Sequence, residues 1–262
     1  MEGKFIDIHN HTCGYANPDA VIRRAKDKCV SKILAVPFDY ISLQKNAELA
    51  VRHPDTILLS AAVHPNRFEK KPYSRINRDF KMISRFVRDN RISAIGETGL
   101  HYTQYNAYGH VREWQEELFR KHLDLAEDIG RMVIVHSLGS FSQALRVLKD
   151  YKLTVILHYP LGSYPVSKKT RRLIKTSVER GYYFSIAPKD RFGNLEEVSH
   201  LVAREVPKNR LLVESDGPRR KKIEPAVVVK IVDKICHDMK VSEDEAKKIL
   251  YTNAMKLLEK QI

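Results

Sequence analysis

Only three of the 262 residues are cysteine and one is tryptophan. Cys13, Cys29 and Cys236 follow no paired spacing, which argues against a disulfide framework and a zinc ribbon. Cys29 and Cys236 fall in helical patterns and are expected in the buried core. No apolar run approaches the roughly 18 residues of a membrane span. The opening MEGKFIDIHNH is too briefly apolar for a signal peptide and reads as a first strand. A cytoplasmic setting is expected, with no membrane partner and no obligate protein partner. No Gly/Ser linker or low-complexity tract divides the chain, so residues 1–262 are expected to form a single domain. The first strand-to-helix turn lacks the glycine-rich phosphate fingerprint of a doubly wound dinucleotide fold. Acidic residues are also short: 32 Asp and Glu face 46 Lys and Arg, a net charge of +14. Ion-pair networks of a heat-adapted surface would balance the two signs. A one-sided excess favours a polyanionic partner, nucleic acid first among them.

What the chain does have is a regular alternation. Short β-rich runs occur at 5–11, 33–38, 57–64, 94–100, 132–136, 154–158, 182–187 and 211–216. Most are continuously apolar and end in a polar residue, as parallel strands covered on both faces do. Helical patterns lie between them. Asn17-Pro18 caps and starts the first, the longest runs over 107–129 and stops at Gly130, Ser167 opens a basic helix that ends at Gly181, and Pro225 opens the eighth. Ser242 with Glu245 forms a capping box for one helix more. Eight β/α units predict an α/β fold, a (β/α)8 TIM-like barrel with an additional C-terminal helix. With 43% hydrophobic residues the core can be large.

The polar residues at the strand ends carry the chemistry. His9 and His11 end the first strand, His64 the third, His136 the fifth, His158 the sixth and Asp216 the eighth, while Glu97 lies late in the fourth. Barrel active sites form on that C-terminal rim, and eleven histidines spread at random would not gather there. Two positions apart on a strand, His9 and His11 point to one side. Glu97 sits in an apolar strand, where an unpaired carboxylate is costly to bury. A metal ion, or a buried Lys or Arg, must compensate it, and few basic residues lie inside the strands. Glu214 shares a face with Asp216, as a rival ligand or a support behind one. Nitrogen and oxygen donors without thiolate suit Zn²⁺, Mn²⁺ or Mg²⁺. A central carboxylate can bridge two such ions roughly 3.5–4 Å apart.

Basic residues follow several strands: Arg67, Lys70 and Lys71; Lys168, Lys169, Arg171 and Arg172; Lys189 and Arg191; and Arg219, Arg220, Lys221 and Lys222. On the rim they could hold a phosphate backbone; elsewhere such runs are solvated faces. Tyr102, Tyr105 and Tyr108 could stack on unpaired bases or pack their own loop. His101, His110, His122, His200 and His237 read as surface or structural residues, and Trp114 as helix packing.

The blocks FIDIHNH, AVHP, IGETGLHY, VIVHS, ILHYPLG and LLVESDGP, in that order over residues 5–218, resemble those of the TatD-type metal-dependent deoxyribonucleases of the amidohydrolase superfamily. TNAMKLL at 252–258 resembles the family's last helix. The resemblance implies two divalent ions and hydrolysis of DNA phosphodiester bonds, most plainly as an exonuclease. It implies that His9, His11 and Asp216 hold one ion, His136 and His158 the other, and that Glu97 bridges them. Asp216 would also orient or deprotonate the attacking water, and His64 would face the substrate phosphate. The chain departs from the family pattern at Thr12, Cys13, His101, Tyr159 and Pro160; these changes spare the ligands and alter the substrate-side loops. Two alternatives are a hydrolase of a small ester, lactone or amide, and an inert nucleic-acid-binding barrel. The basic loops oppose the first and the intact ligand set the second.

Overall fold

A computed structural model describes residues 4–103, 109–159, 165–218 and 222–259. Its eight strands are β1 (Phe5–Asn10), β2 (Val30–Ala35), β3 (Ile57–Ala61), β4 (Ala94–His101), β5 (Met132–Leu138), β6 (Val155–Leu157), β7 (Tyr183–Ile186) and β8 (Leu211–Val213). They form one parallel sheet in sequential order. The helices α1 (Pro18–Asp27), α2 (Tyr40–Arg52), α3 (Tyr73–Asp89), α4 (His110–Asp128), α5 (Phe141–Leu148), α6 (Lys168–Glu179), α7 (Glu197–Glu205) and α8 (Val227–Asp238) each follow one strand, and α9 (Glu243–Glu259) is extra. This is the TIM barrel with a C-terminal helix that the alternation predicts. Asn17 caps α1 and Ser167 caps α6 through their side chains, satisfying backbone N–H groups that a helix start leaves free. Gly130, at φ 64°, follows the end of α4.

The sheet closes on itself where β8 meets β1. Asp216 N donates to His9 O at 3.0 Å and His11 N to Gly217 O at 2.7 Å. Deeper in the seam the Asp7 carboxylate takes the place of a ladder bond, accepting from Ser215 N at 2.9 Å. The core has two layers. Phe5, Ile33, Ile95, Val133, Val135 and their neighbours pack outward against the helices. Ile6, Ile8, Leu34, Met132, Ile134, Ile156 and Leu212 fill the barrel interior, where Ala254, Leu257 and Leu258 of α9 join them. Asn253 fixes α9 there by donating to Leu211 O at 2.9 Å and Lys208 O at 2.7 Å, at the start of β8. The extra helix therefore covers the end of the barrel opposite the rim.

Alternation in β1 and β4 is broken, and this aims the site. One extra residue lies in β1 between Asp7 and Asn10 opposite β2, and one in β4 between Ile95 and Thr98 opposite β5. Such bulges turn a side chain to the other face. With Ile6, Ile8 and Ala94 facing inward, strict alternation would have sent His9 and Glu97 out to the helices.

Two expectations need correction. Cys29 is exposed rather than in the core: it follows α1 with φ 62°, in the turn that leads into β2. Cys236 is only partly buried. The second strand begins at Val30 rather than residue 33, because the chain pairs with β1 directly after that turn.

Gly99, at φ 134°, pairs with His136 across β4 and β5, and a Cβ there would sit 2.1 Å from His136 O. Gly130 also has positive φ, but a Cβ would meet nothing within 4 Å. Gly99→Ala is expected to cost roughly 2–4 kcal/mol through strain and overpacking together. Gly130→Ala should cost about 1 kcal/mol from conformation alone. Denaturant unfolding of both variants checks this; equal losses would mean that the approach to His136 does not set the requirement for glycine.

Candidate metal centre

The strand ends bring His9, His11, His64, Glu97, His136, His158 and Asp216 into one cluster at the barrel mouth. Glu97, 1% exposed, is its hub. Its Oε2 lies 3.0 Å from His64 Nε2, 3.3 Å from His9 Nε2 and 3.7 Å from His11 Nε2. Its Oε1 contacts His136 Nδ1 and lies 3.4 Å from His158 Nε2. Asp216 completes the ring, with Oδ1 3.5 Å from His11 Nε2 and 3.7 Å from His9 Nε2, and Oδ2 3.8 Å from His158 Nε2. Among the described residues three donor groups could each hold a cation: His9, His11 and Asp216; His9, Glu97 and His158; and His64, Glu97 and His136. Glu97 belongs to two of them. The sets overlap more than the sequence suggests, since His158 shares a group with His9 and His136 with His64.

The surroundings decide which nitrogen each imidazole presents. His11 Nδ1 lies 2.9 Å from Val36 O and must donate to it, leaving Nε2 bare toward the site. His158 Nδ1 lies 2.7 Å from Glu214 Oε1, so its Nε2 also faces inward. Glu214, fully buried, is thus a support behind His158. His64 is the reverse case. Its Nδ1 accepts from Asn66 N at 2.9 Å, so its proton sits on Nε2, and it approaches Glu97 as a donor.

Burial sets the protonation states. It lowers His11 to about 4, aided by His9, and His64 to about 3 against the pull of Glu97, so both are neutral near pH 7. Burial would lower His158 too, but Glu214, Glu97 and Asp216 outweigh it and push that imidazole up to about 10. Burial would raise Glu97, yet His64, His158, His136 and His9 together hold it well below the usual carboxylate range. Both ring nitrogens of His9 are buried without making a hydrogen bond. Buried polar atoms are rarely left so, and imidazole and carboxylate donors around such a gap fit a divalent cation.

Several residues of the cluster escape a reading by strand ends. His101 Nδ1 lies 2.8 Å from His136 Nε2; as the last residue of β4 it carried the same positional signal as the ligands. Phe38 stacks on His11 with centroids 4.0 Å apart. Asp7, pushed up to about 8 by burial against the bonds from Ser215, staples the seam beneath His9. His122 is buried, accepting from Val63 N at 3.1 Å, and so steadies the residue before His64. Nothing in the sequence marks Phe38 or His122 for these places.

The basic rim is partly committed elsewhere. Arg67 and Lys71 are tied to Asp39, and Lys71 also to Asp79 at 3.2 Å. Arg171 pairs with Glu205 and Lys189 with Glu196. Lys222 is exposed. Tyr102 is half-buried beneath the Arg112 guanidinium, 4.8 Å from its ring, and lines a cavity of about 510 Å³ to which none of the metal-type residues contributes. Arg219, Arg220, Lys221, Tyr105, Tyr108 and Pro160 lie outside the described residues.

Comparison with known proteins agrees with this geometry. The TatD related DNase family profile matches residues 6–259. An uncharacterized metal-dependent hydrolase of Escherichia coli K12, YcfH, is 27% identical over 268 residues, covering 96% of this chain and 94% of its own. YabD of Bacillus subtilis, likewise named an uncharacterized metal-dependent hydrolase, is 25% identical over 249 residues and 91% of each chain. The crystal structure of the TatD homologue YjjV from E. coli superposes with a TM-score of 0.81 at 21% identity, covering 97% of this chain and 98% of that one. With its profile match, barrel and rim of histidines and carboxylates, the chain belongs to the TatD related DNase family and is a metal-dependent hydrolase.

Proposed function

We propose that the protein hydrolyses phosphodiester bonds in nucleic acid, acting as an exonuclease on DNA, with two divalent ions of the Zn²⁺, Mn²⁺ or Mg²⁺ type held around Glu97. The observation that carries the reading is the division of labour within that one carboxylate: one oxygen faces His9 and His11, the other His136 and His158. In this reading His9, His11 and Asp216 hold one ion, His136 and His158 the other, and Glu97 spans both. When bound, the ions would acidify a water and neutralise charge on the phosphate.

The chain's own groups supply the rest. Asp216 sits beside His9 and His11, where its carboxylate accepts the proton of the attacking water. His64, with its proton held on Nε2, donates to a phosphate oxygen once substrate enters. Arg219, Arg220, Lys221 and Lys222 follow Asp216 after Gly217 and Pro218 and hold the phosphate chain, and Tyr102 offers a ring for a base. The net charge of +14 supports a polyanionic substrate.

The direct test incubates metal-stripped protein with end-labelled DNA oligonucleotides and adds Mg²⁺, Mn²⁺ or Zn²⁺ separately. A ladder shortening from one end is expected with at least one ion; intact DNA with all three would reject the reading. Asp216→Asn should lower turnover about 10²–10⁴-fold at saturating metal, the usual worth of general-base assistance. The fold should persist, because Asp216 has φ 49° and Asn tolerates that conformation as Asp does. Glu214→Gln should cost less, and the opposite order would show that the wrong carboxylate has been assigned.

The raised pKa of His158 adds a second expectation. Near pH 7 its imidazole is protonated in the metal-free protein, so an ion that takes Nε2 must displace that proton. Metal affinity should therefore rise with pH from about 6 to 9, with about one proton released per chain. Calorimetry in buffers of different ionisation enthalpy measures that release. Glu214→Gln, which removes the strongest of the groups holding the proton, should diminish it; pH-independent affinity would contradict the assignment of His158.

A further inference from the structure

His101 is a histidine at the centre that the proposed ligand sets do not use, yet it is firmly built in. Its backbone N donates to Gln115 Oε1 at 2.7 Å and its backbone O accepts from Gln115 Nε2 at 3.1 Å. Gln115, on α4, is fully buried, so one amide side chain clamps both polar atoms of the His101 main chain. The His101 ring lies beside that of His136, with centroids 5.0 Å apart. Its Nδ1 is 2.8 Å from His136 Nε2 and its Nε2 is 3.5 Å from Glu69 Oε1. Thr103 Oγ1 donates to the same Glu69 oxygen at 2.9 Å.

Glu69 favours one direction of hydrogen-bond polarity along this row. An ionised carboxylate only accepts, so His101 places its proton on Nε2, toward Glu69. Its Nδ1 then holds a lone pair and can only accept, which requires the proton of His136 to sit on Nε2. That polarity leaves His136 Nδ1 bare, but the same nitrogen is hydrogen-bonded to Glu97 Oε1, a second carboxylate that calls for a proton there in the metal-free protein. The two carboxylates therefore compete for the proton of His136, and a cation that takes Nδ1 beside Glu97 requires the polarity set by Glu69, with that proton on Nε2 facing His101. The geometry points to His101, clamped by Gln115 and oriented by Glu69, as a positioning residue that holds His136 in the tautomer whose Nδ1 ligates a divalent ion beside Glu97. This rests on the reading of His136 as a metal ligand. An outer partner of this kind is usually a carboxylate, a carbonyl or water; here it is a neutral imidazole.

The test titrates Mn²⁺ into the metal-stripped full chain by calorimetry, comparing wild type with His136→Ala, His101→Phe, His101→Asn and His101→Asp. Phe keeps the ring against His136 but cannot accept, so His101→Phe should weaken Mn²⁺ about 10–100-fold at the site that His136→Ala also weakens. Asn and Asp keep an acceptor and should bind Mn²⁺ close to wild type, whether or not the Phe variant folds. Wild-type affinity in a folded His101→Phe, with His136→Ala weakened, would overturn the role of His101 alone. Losses in His101→Asn and His101→Asp as large as in His136→Ala would overturn it too. Wild-type affinity in His136→Ala would remove the ligand assignment and this proposal with it. None of these readouts depends on the substrate, so a failure of the nuclease reading is seen separately.

Discussion

The charge of Glu97 is the constraint around which the rim is arranged. The carboxylate is almost completely buried, and no Lys or Arg reaches it among the described residues. An isolated charge in that position would cost several kcal/mol or take up a proton. Five imidazoles face it instead, and their combined field keeps it ionised. Two of them, His11 and His64, are themselves held neutral by burial. The compensation thus rests on His158, held protonated near pH 7, and on the N–H of His64, while the bare nitrogen of His11 calls for a cation to complete the cluster. The outer groups follow from the same need. Val36 O fixes His11 so that a bare nitrogen faces inward, Glu214 fixes His158 so that Nε2 faces inward, and Asn66 N fixes His64 with its proton inward.

The barrel and its rim were largely legible in the sequence. Continuous apolar runs ending in His, Glu or Asp are enough to place a residue at the mouth, because a parallel strand buried on both faces has nowhere else to keep a polar side chain. The facing of His9 and Glu97 was not legible in the same way. Both depend on an extra residue relative to a partner strand, and register is a property of two segments that one sequence pattern does not display. The contact of His101 with Glu69 joins the end of β4 to the segment after β3, about 32 positions earlier, and the clamp by Gln115 comes from a helix face that reads only as amphipathic. The basic residues mislead for a related reason. Arg67 and Lys71 do follow β3, but Asp39 and Asp79 lie close enough to hold them. Position along the chain reports which end of the barrel a charge occupies, not whether it is spent on a neighbour.

The two glycines compared above show the same division between local and non-local causes. Gly130 ends a helix and could be foreseen from its place after Ile129. Gly99 is required by the backbone of another strand, and its neighbour across the ladder is His136, so a constraint on β4 also secures a candidate ligand on β5.

The seam between β1 and β8 has a consequence of its own. His9 and His11 stand on one side of it and Asp216 on the other, and main-chain bonds, the Asp7 staple and the bond from Asn10 Nδ2 to Ser215 Oγ hold the two together. A cation shared by those three side chains would tie the first strand of the barrel to the last. Anything that binds the closed form and not the open one adds to its stability, by about 2.7 kcal/mol when the free ion exceeds its Kd a hundredfold. The supply of metal would then govern how often the barrel parts along this line, making the ion a clasp on the architecture as well as a participant in its chemistry.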